Sequence, residues 1–127
     1  MTVMRRLLLG TLAFTVLFAN FAKAETRYLA SLPDIPLMPQ MVELKDSRVV
    51  FDKAEGRIIE ETVKVANISP EQVLNFYANT LPALGWAQQN GSKSLGRFSR
   101  NGEQLVVNLE KLRTEGLVAF AVSPIQP

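Results

Sequence analysis

Alternating apolar and polar residues predict two strands in the first half of the chain. From Ser47 to Lys53, Val49 and Phe51 fall on one side, and Arg48, Val50 and Asp52 fall on the other. This period of two is typical of a half-buried β-strand. A turn at residues 54–56 leads into a returning strand, residues 57–66, in which Ile59, Val63 and Val65 share one face. The two segments predict an antiparallel hairpin.

A helix is predicted to follow this hairpin. Ser69 is suited to cap its N-terminus, Pro70 to occupy the first position, and Gln72 to complete a capping box. The apolar side chains then recur at helical spacing, and we expect the face they form to pack on the sheet. These residues are Val73, Phe76, Tyr77, Leu81 and Leu84. Pro82 is expected to tighten the last turn, and Gly85 to end the helix in a left-handed conformation.

Two Asn-Gly pairs, Asn90-Gly91 and Asn101-Gly102, suit hairpin turns that need positive φ, so the C-terminal third is predicted to be a meander of strands. A two-residue turn at Asn101-Gly102 places Phe98 opposite Leu105. A four-residue loop at 113–116 would place Val107 opposite Val122. Both choices put the apolar residues of the middle strand on one face, which supports the register.

The predicted fold class is α+β, an antiparallel sheet of about five to six strands with one helix packed on one face, in the order β-β-α-β-β-β-β. The face away from the helix is expected to be more apolar than a freely solvated face, and something is expected to cover part of it. Its apolar residues in this register are Val50, Val106, Leu117, Ala119 and Ala121.

Residues 25–46 are predicted to form an extended, proline-rich arm ahead of a single domain at 47–127, because proline fixes φ and lacks the N–H that a strand donates. The arm is a candidate for binding a partner protein. Two alternatives stay open: its apolar residues pack on their own domain, or on the partner. The candidate partner-binding residues are Leu32, Pro33, Ile35, Pro36, Leu37, Met38, Pro39 and Met41.

Residues 1–24 are predicted to be a cleavable signal peptide, with Arg5 and Arg6 before an apolar run and Ala22-Lys23-Ala24 at the cleavage site. An uncleaved membrane anchor is the weaker alternative, because the run is shorter than the roughly 20 residues of a membrane span. Three of the fourteen basic residues leave with the signal while all twelve acidic residues stay, so the net charge changes from +2 to −1. Nucleic acid is therefore not an expected partner.

The chain contains neither histidine nor cysteine, which removes the usual imidazole base, thiol nucleophile, disulfide and zinc ligands. Glu60 and Glu61 are adjacent, but neighbouring side chains of a strand point to opposite faces and cannot act together on one substrate. We interpret both as surface and edge charges; for Glu61, a buried acid is the alternative. Phe76, Tyr77 and Trp86 are expected in the core, with a ligand cavity as the alternative. No catalytic residue, cofactor or metal site is predicted.

The segment Asn75-Phe76-Tyr77-Ala78-Asn79-Thr80-Leu81-Pro82-Ala83-Leu84-Gly85-Trp86 resembles a pattern found in small exported bacterial domains, mostly of uncharacterised function. The resemblance covers residues 47–123. It implies a helix over an antiparallel sheet and a Gram-negative, periplasmic setting, and it carries over no catalytic residue.

The function expected from these observations is a non-catalytic periplasmic domain that binds another periplasmic or envelope protein. The alternative is a carrier of a small hydrophobic ligand held between helix and sheet, and an enzyme is the least favoured class. The sequence leaves the partner, the ligand and the oligomeric state open.

Overall fold

The computed structural model describes residue 13, residues 15–17 and residues 25–126. The predicted signal peptide, residues 1–24, lies almost entirely outside the described residues. Seven strands and two helices follow in chain order: β1 (Val42–Glu43), β2 (Val49–Lys53), β3 (Gly56–Lys64), α1 (Pro70–Thr80), β4 (Ala87–Gln89), β5 (Leu95–Arg100), β6 (Glu103–Asn108), α2 (Leu112–Glu115) and β7 (Leu117–Pro124). Short 3₁₀ turns occupy Lys45–Ser47 and Leu81–Leu84.

The strands form one antiparallel sheet in the order β1-β3-β7-β6-β5-β4, and β2 also pairs with β3. β1 and β2 pair with successive parts of β3, so together they form one edge, and β4 forms the other. The α+β class with an antiparallel sheet is confirmed. The strand count is higher than expected, because β1 is a two-residue strand within the predicted arm and is too short to show a periodic pattern.

Helix α1 begins with the predicted capping box. The Ser69 hydroxyl accepts a hydrogen bond from the Gln72 N–H at 3.2 Å, and the Gln72 side chain accepts one from the Ser69 N–H at 2.8 Å. At the other end, Pro82 lies in the 3₁₀ turn and Gly85 has a φ of 89°, so the helix stop is also as predicted. Leu84 differs from the prediction, because it lies past the last buried turn and is 38% exposed.

The face under α1 forms the core, and we call it the covered face. Its central residues are fully buried: Leu105, Val107, Val118, Phe120 and Val122. The predicted pairing of β5 with β6 is confirmed, with Phe98 opposite Leu105. The pairing of β6 with β7 is shifted by two residues from the prediction, since Val107 lies opposite Phe120. The cause is α2, which lengthens the connection between these strands but leaves the same side chains facing inward.

Two further expectations are wrong. Asn90-Gly91 is not a two-residue turn, because residues 90–94 form a longer loop between β4 and β5. The predicted half-buried strand at 47–53 is exposed along all of β2. Val50 lies opposite Ile59 and so belongs to the covered side, whereas Val49 and Phe51 belong to the other side. β2 is exposed because it lies at the edge, beyond the reach of α1.

The predicted arm is not extended. Backbone hydrogen bonds fold it into turns, including those from the Leu29 N–H to the Ile35 carbonyl and from the Leu37 N–H to the Arg27 carbonyl. Leu32, Ile35 and Met41 are completely buried and join the core. The arm therefore packs on its own domain, on the same face of the sheet as α1, and leaves the opposite face uncovered.

Candidate functional site

Of the eight candidate partner-binding residues of the arm, six are buried in the core of their own domain. Only Pro33 and Pro39 are exposed. The Tyr77 hydroxyl donates a hydrogen bond to the Pro36 carbonyl at 2.8 Å and thereby links α1 to the arm. Burial raises the pKa of Tyr77, so its hydroxyl stays protonated as a donor. Six of the eight candidate residues therefore present little apolar surface to a partner.

A second set of polar contacts connects the arm to the sheet at Glu61. This side chain is only 1% exposed, so its interpretation as a surface charge is wrong. One carboxylate oxygen accepts hydrogen bonds from the Ser31 hydroxyl at 2.6 Å and from Nε of Arg48 at 2.7 Å. A buried carboxylate is tolerated when it is paired and hydrogen-bonded in this way. The other oxygen, Oε2, has no hydrogen-bond partner among the described residues.

The same guanidinium also contacts Glu43, at 2.5 Å from Nη2 to Oε2, and Glu43 accepts a hydrogen bond from the Ala30 N–H at 3.1 Å. Burial acts to raise the pKa of Glu43, but the nearby Glu61 side chain, the Ala30 N–H and the Arg48 guanidinium outweigh it, and the net effect lowers that pKa. Arg48 therefore bridges two carboxylates, which also accept hydrogen bonds from Ala30 and Ser31 of the arm. This arrangement is suited to holding the arm in place.

Two of the three aromatic side chains considered as cavity walls, Tyr77 and Trp86, lie in the core instead, whereas Phe76 is only partly buried and lines a pocket of about 320 Å³ between α1 and the arm. Tyr77 and Trp86 are at most 1% exposed, and the Tyr77 ring lies edge-on to Phe120 with 5.4 Å between centroids. The Arg100 guanidinium lies 4.3 Å from the Trp86 ring centroid, a cation–π geometry. Arg100 also pairs with Asp34 of the arm. Between helix and sheet, Tyr77 and Trp86 serve as core.

The side of the sheet opposite α1 is here called the open face. The buried side chains of both described helices belong to the core on the other side. Two adjoining grooves of about 240 and 280 Å³ cross the open face, and Thr62, Asn108 and Ala119 line both. Small residues on the central strand β7 form the floor, with Ala121 beside Val106 on β6. The open face therefore offers a shallow, partly apolar surface with polar side chains along it.

At one margin of the open face, β2 presents apolar side chains to solvent. Val49 is 37% exposed, Val50 59% and Phe51 57%. β2 pairs with β3 on one side only. Natural edge strands are usually protected by charge, proline or a covering element. The signal for this feature was visible in the sequence as three consecutive apolar residues, which depart from strict alternation.

No helix among the described residues is long and apolar enough to span a membrane. Nor does the described part of the chain bring together three acidic side chains in an arrangement suited to hold a metal ion. Comparisons with known protein families, with curated proteins and with solved structures found no match to this chain. The resemblance to small exported domains therefore stays a prediction.

Proposed function

We propose that this chain is a non-catalytic domain of the bacterial periplasm that binds another periplasmic or envelope protein on its open face. The observation that carries the proposal is the contrast in burial across one strand. Phe120 and Val122 of β7 are completely buried, whereas Ala119 and Ala121, which alternate with them along the strand, remain partly accessible. An apolar surface of this kind gains stability when a partner removes it from water.

The non-catalytic character rests on the composition of the chain, which offers no histidine or cysteine for acid–base or nucleophilic chemistry. The periplasmic location rests on the predicted signal peptide. The carrier alternative is less favoured, because Tyr77, Trp86 and Phe120 fill the space between helix and sheet that a ligand would need.

Native mass spectrometry of the protein purified from periplasm tests the proposal. We expect a second polypeptide at a fixed ratio, lost in Ala119→Lys, because a long charged side chain would stand in the shared groove. Asn79→Lys is the matched control, since Asn79 is exposed on α1. Thermal melts establish that both variants fold. A partner retained by Ala119→Lys contradicts the proposed surface, and a small molecule in place of a polypeptide supports the carrier.

A further inference from the structure

Along the edge strand β2, every second residue directs its backbone N–H and C=O groups away from β3. β2 and β3 are joined by the two residues Ala54 and Glu55, and Lys53 lies opposite Gly56. The two residues that flank a two-residue turn form a hydrogen-bonded pair, here Lys53 and Gly56. Along an antiparallel ladder, hydrogen-bonded pairs alternate with non-hydrogen-bonded pairs. Val49, Phe51 and Lys53 therefore bond to β3. Val50 and Asp52 direct their N–H and C=O groups away from the sheet, where no described strand pairs with them.

We infer that β2 pairs in antiparallel fashion with β2 of a second copy of this chain. The outward-directed N–H and C=O groups of one copy can bond only to outward-directed groups of the other. Val50 and Asp52 of one copy must therefore pair with Val50 or Asp52 of the second. Of the registers that satisfy this rule, one pairs all five residues of the strand. It places Val50 opposite Asp52 and Phe51 opposite Phe51 on the two-fold axis. Such a pairing supplies four hydrogen bonds between the copies.

Side chains agree with this register. A non-hydrogen-bonded pair brings side chains closest together, and here it joins the two Phe51 rings, which are 57% exposed in one copy. Aromatic pairs across strands are favourable. The sheet would continue across the axis with both open faces on the same side, and the exposed apolar surface of Val49 and Phe51 would be reduced.

Charge also favours this register over its neighbour. It places Lys53 of one copy beside Val49 of the other, and Val49 lies opposite Glu60 on β3. With strands about 4.8 Å apart, the Cα atoms of Lys53 and Glu60 would be about 10 Å apart on one face, within reach of a salt bridge. The neighbouring register, centred on Val50, would instead bring Asp52 towards Arg48. The Arg48 guanidinium already forms salt bridges with Glu43 and Glu61 of its own chain.

Cysteine cross-linking tests the register directly, because the chain has no cysteine of its own. Phe51→Cys places two sulfurs on the axis, where a non-hydrogen-bonded pair has Cα atoms about 4.5 Å apart, a distance that a disulfide spans. We expect the purified variant to form a covalent dimer under mild oxidation. Val50→Cys on the same strand and Gln88→Cys on the opposite edge are matched controls and should cross-link at least tenfold more slowly. Faster cross-linking at residue 50 or 88 would overturn the inference.

A charge exchange provides a second test that leaves the core untouched, since Lys53 and Glu60 are both exposed. Lys53→Glu places like charges together at both ends of the pairing and should weaken the dimer about tenfold in sedimentation equilibrium. The double variant Lys53→Glu with Glu60→Lys should restore it. A purified protein that stays monomeric at millimolar concentration would refute the pairing. This outcome is independent of the proposed function, whose partner differs in mass from a second copy.

Discussion

The covered and open faces of the sheet are made by alternate residues of the same strands, yet they differ in side-chain size and burial. On β6, Val107 is completely buried, whereas its neighbour Val106 is only partly buried. On β7, the covered face carries Phe120 where the open face carries Ala119 and Ala121. Large side chains interdigitate with α1 and the arm, while small ones leave a flat surface with shallow grooves. The covered face therefore stabilises the fold, whereas the open face carries the proposed binding surface.

The largest expected effect concerns Trp86 on the covered face. Trp86→Ala should lower the free energy of unfolding by about 3–5 kcal/mol, because it leaves a cavity in the core and removes the ring beneath Arg100. Urea unfolding followed by circular dichroism measures this loss. A variant as stable as the parent would show that the side chain is not part of the core, and the difference between the faces would need revision.

Adjacent valines on β6 give a matched pair across the two faces. Val107→Ala should cost about 2 kcal/mol through lost burial and a residual cavity. Val106→Ala removes the same methyl groups from the partly accessible open face and should cost below about 1 kcal/mol. The same urea experiment compares them. Equal losses would mean that the open face is covered in solution, for instance by a tightly held partner.

The N-terminal cap of helix α1, the helix that packs on the covered face, contributes separately to the stability of the fold. Ser69→Ala should destabilise the protein by about 1 kcal/mol, since it removes the acceptor for the Gln72 N–H. Ser69→Asp retains an acceptor at the same position and should recover most of the loss. Thermal or urea melts of the two variants measure the difference. Equal destabilisation by both would indicate that Ser69 acts through something other than capping.

The smallest expected effect is the pH dependence contributed by Glu43, which lies with Glu61 at the margin of the covered face. Its folded-state pKa is lowered from the ordinary value of 4.5, so the ionised form stabilises the fold. This contribution is fully present above pH 4.5 and is lost as the pH falls through the lower folded-state value. Glu43→Gln should therefore flatten the fall in stability on acidification.

Urea unfolding at a series of pH values below 4.5 measures this slope. Glu115→Gln is the matched control, because Glu115 is an exposed carboxylate at the end of α2. If the control flattens the slope as much as Glu43→Gln does, the contacts of Glu43 with Glu61, Ala30 and Arg48 do not govern the acid response.

The sequence by itself determined those elements whose signals are local. The capping box at Ser69, the left-handed Gly85 and the hairpin at Asn101-Gly102 depend on a few neighbouring residues, and each was predicted correctly. The inward-facing residues of β6 and β7 were also predicted correctly despite a register shift of two, because a strand has a side-chain period of two.

Only the tertiary structure decided the place of the arm, the burial of Glu61 and the exposure of β2. Each depends on groups far apart in the chain: Glu61 is thirty residues from Ser31, which binds it. The spacing of prolines in the arm indicated restricted backbone, but not the turns that bury Leu32 and Ile35. The apolar run in β2 indicated a strand, but not that it lies at an edge. Local patterns reveal which side chains favour burial, whereas the surface that buries them is assembled by the whole fold.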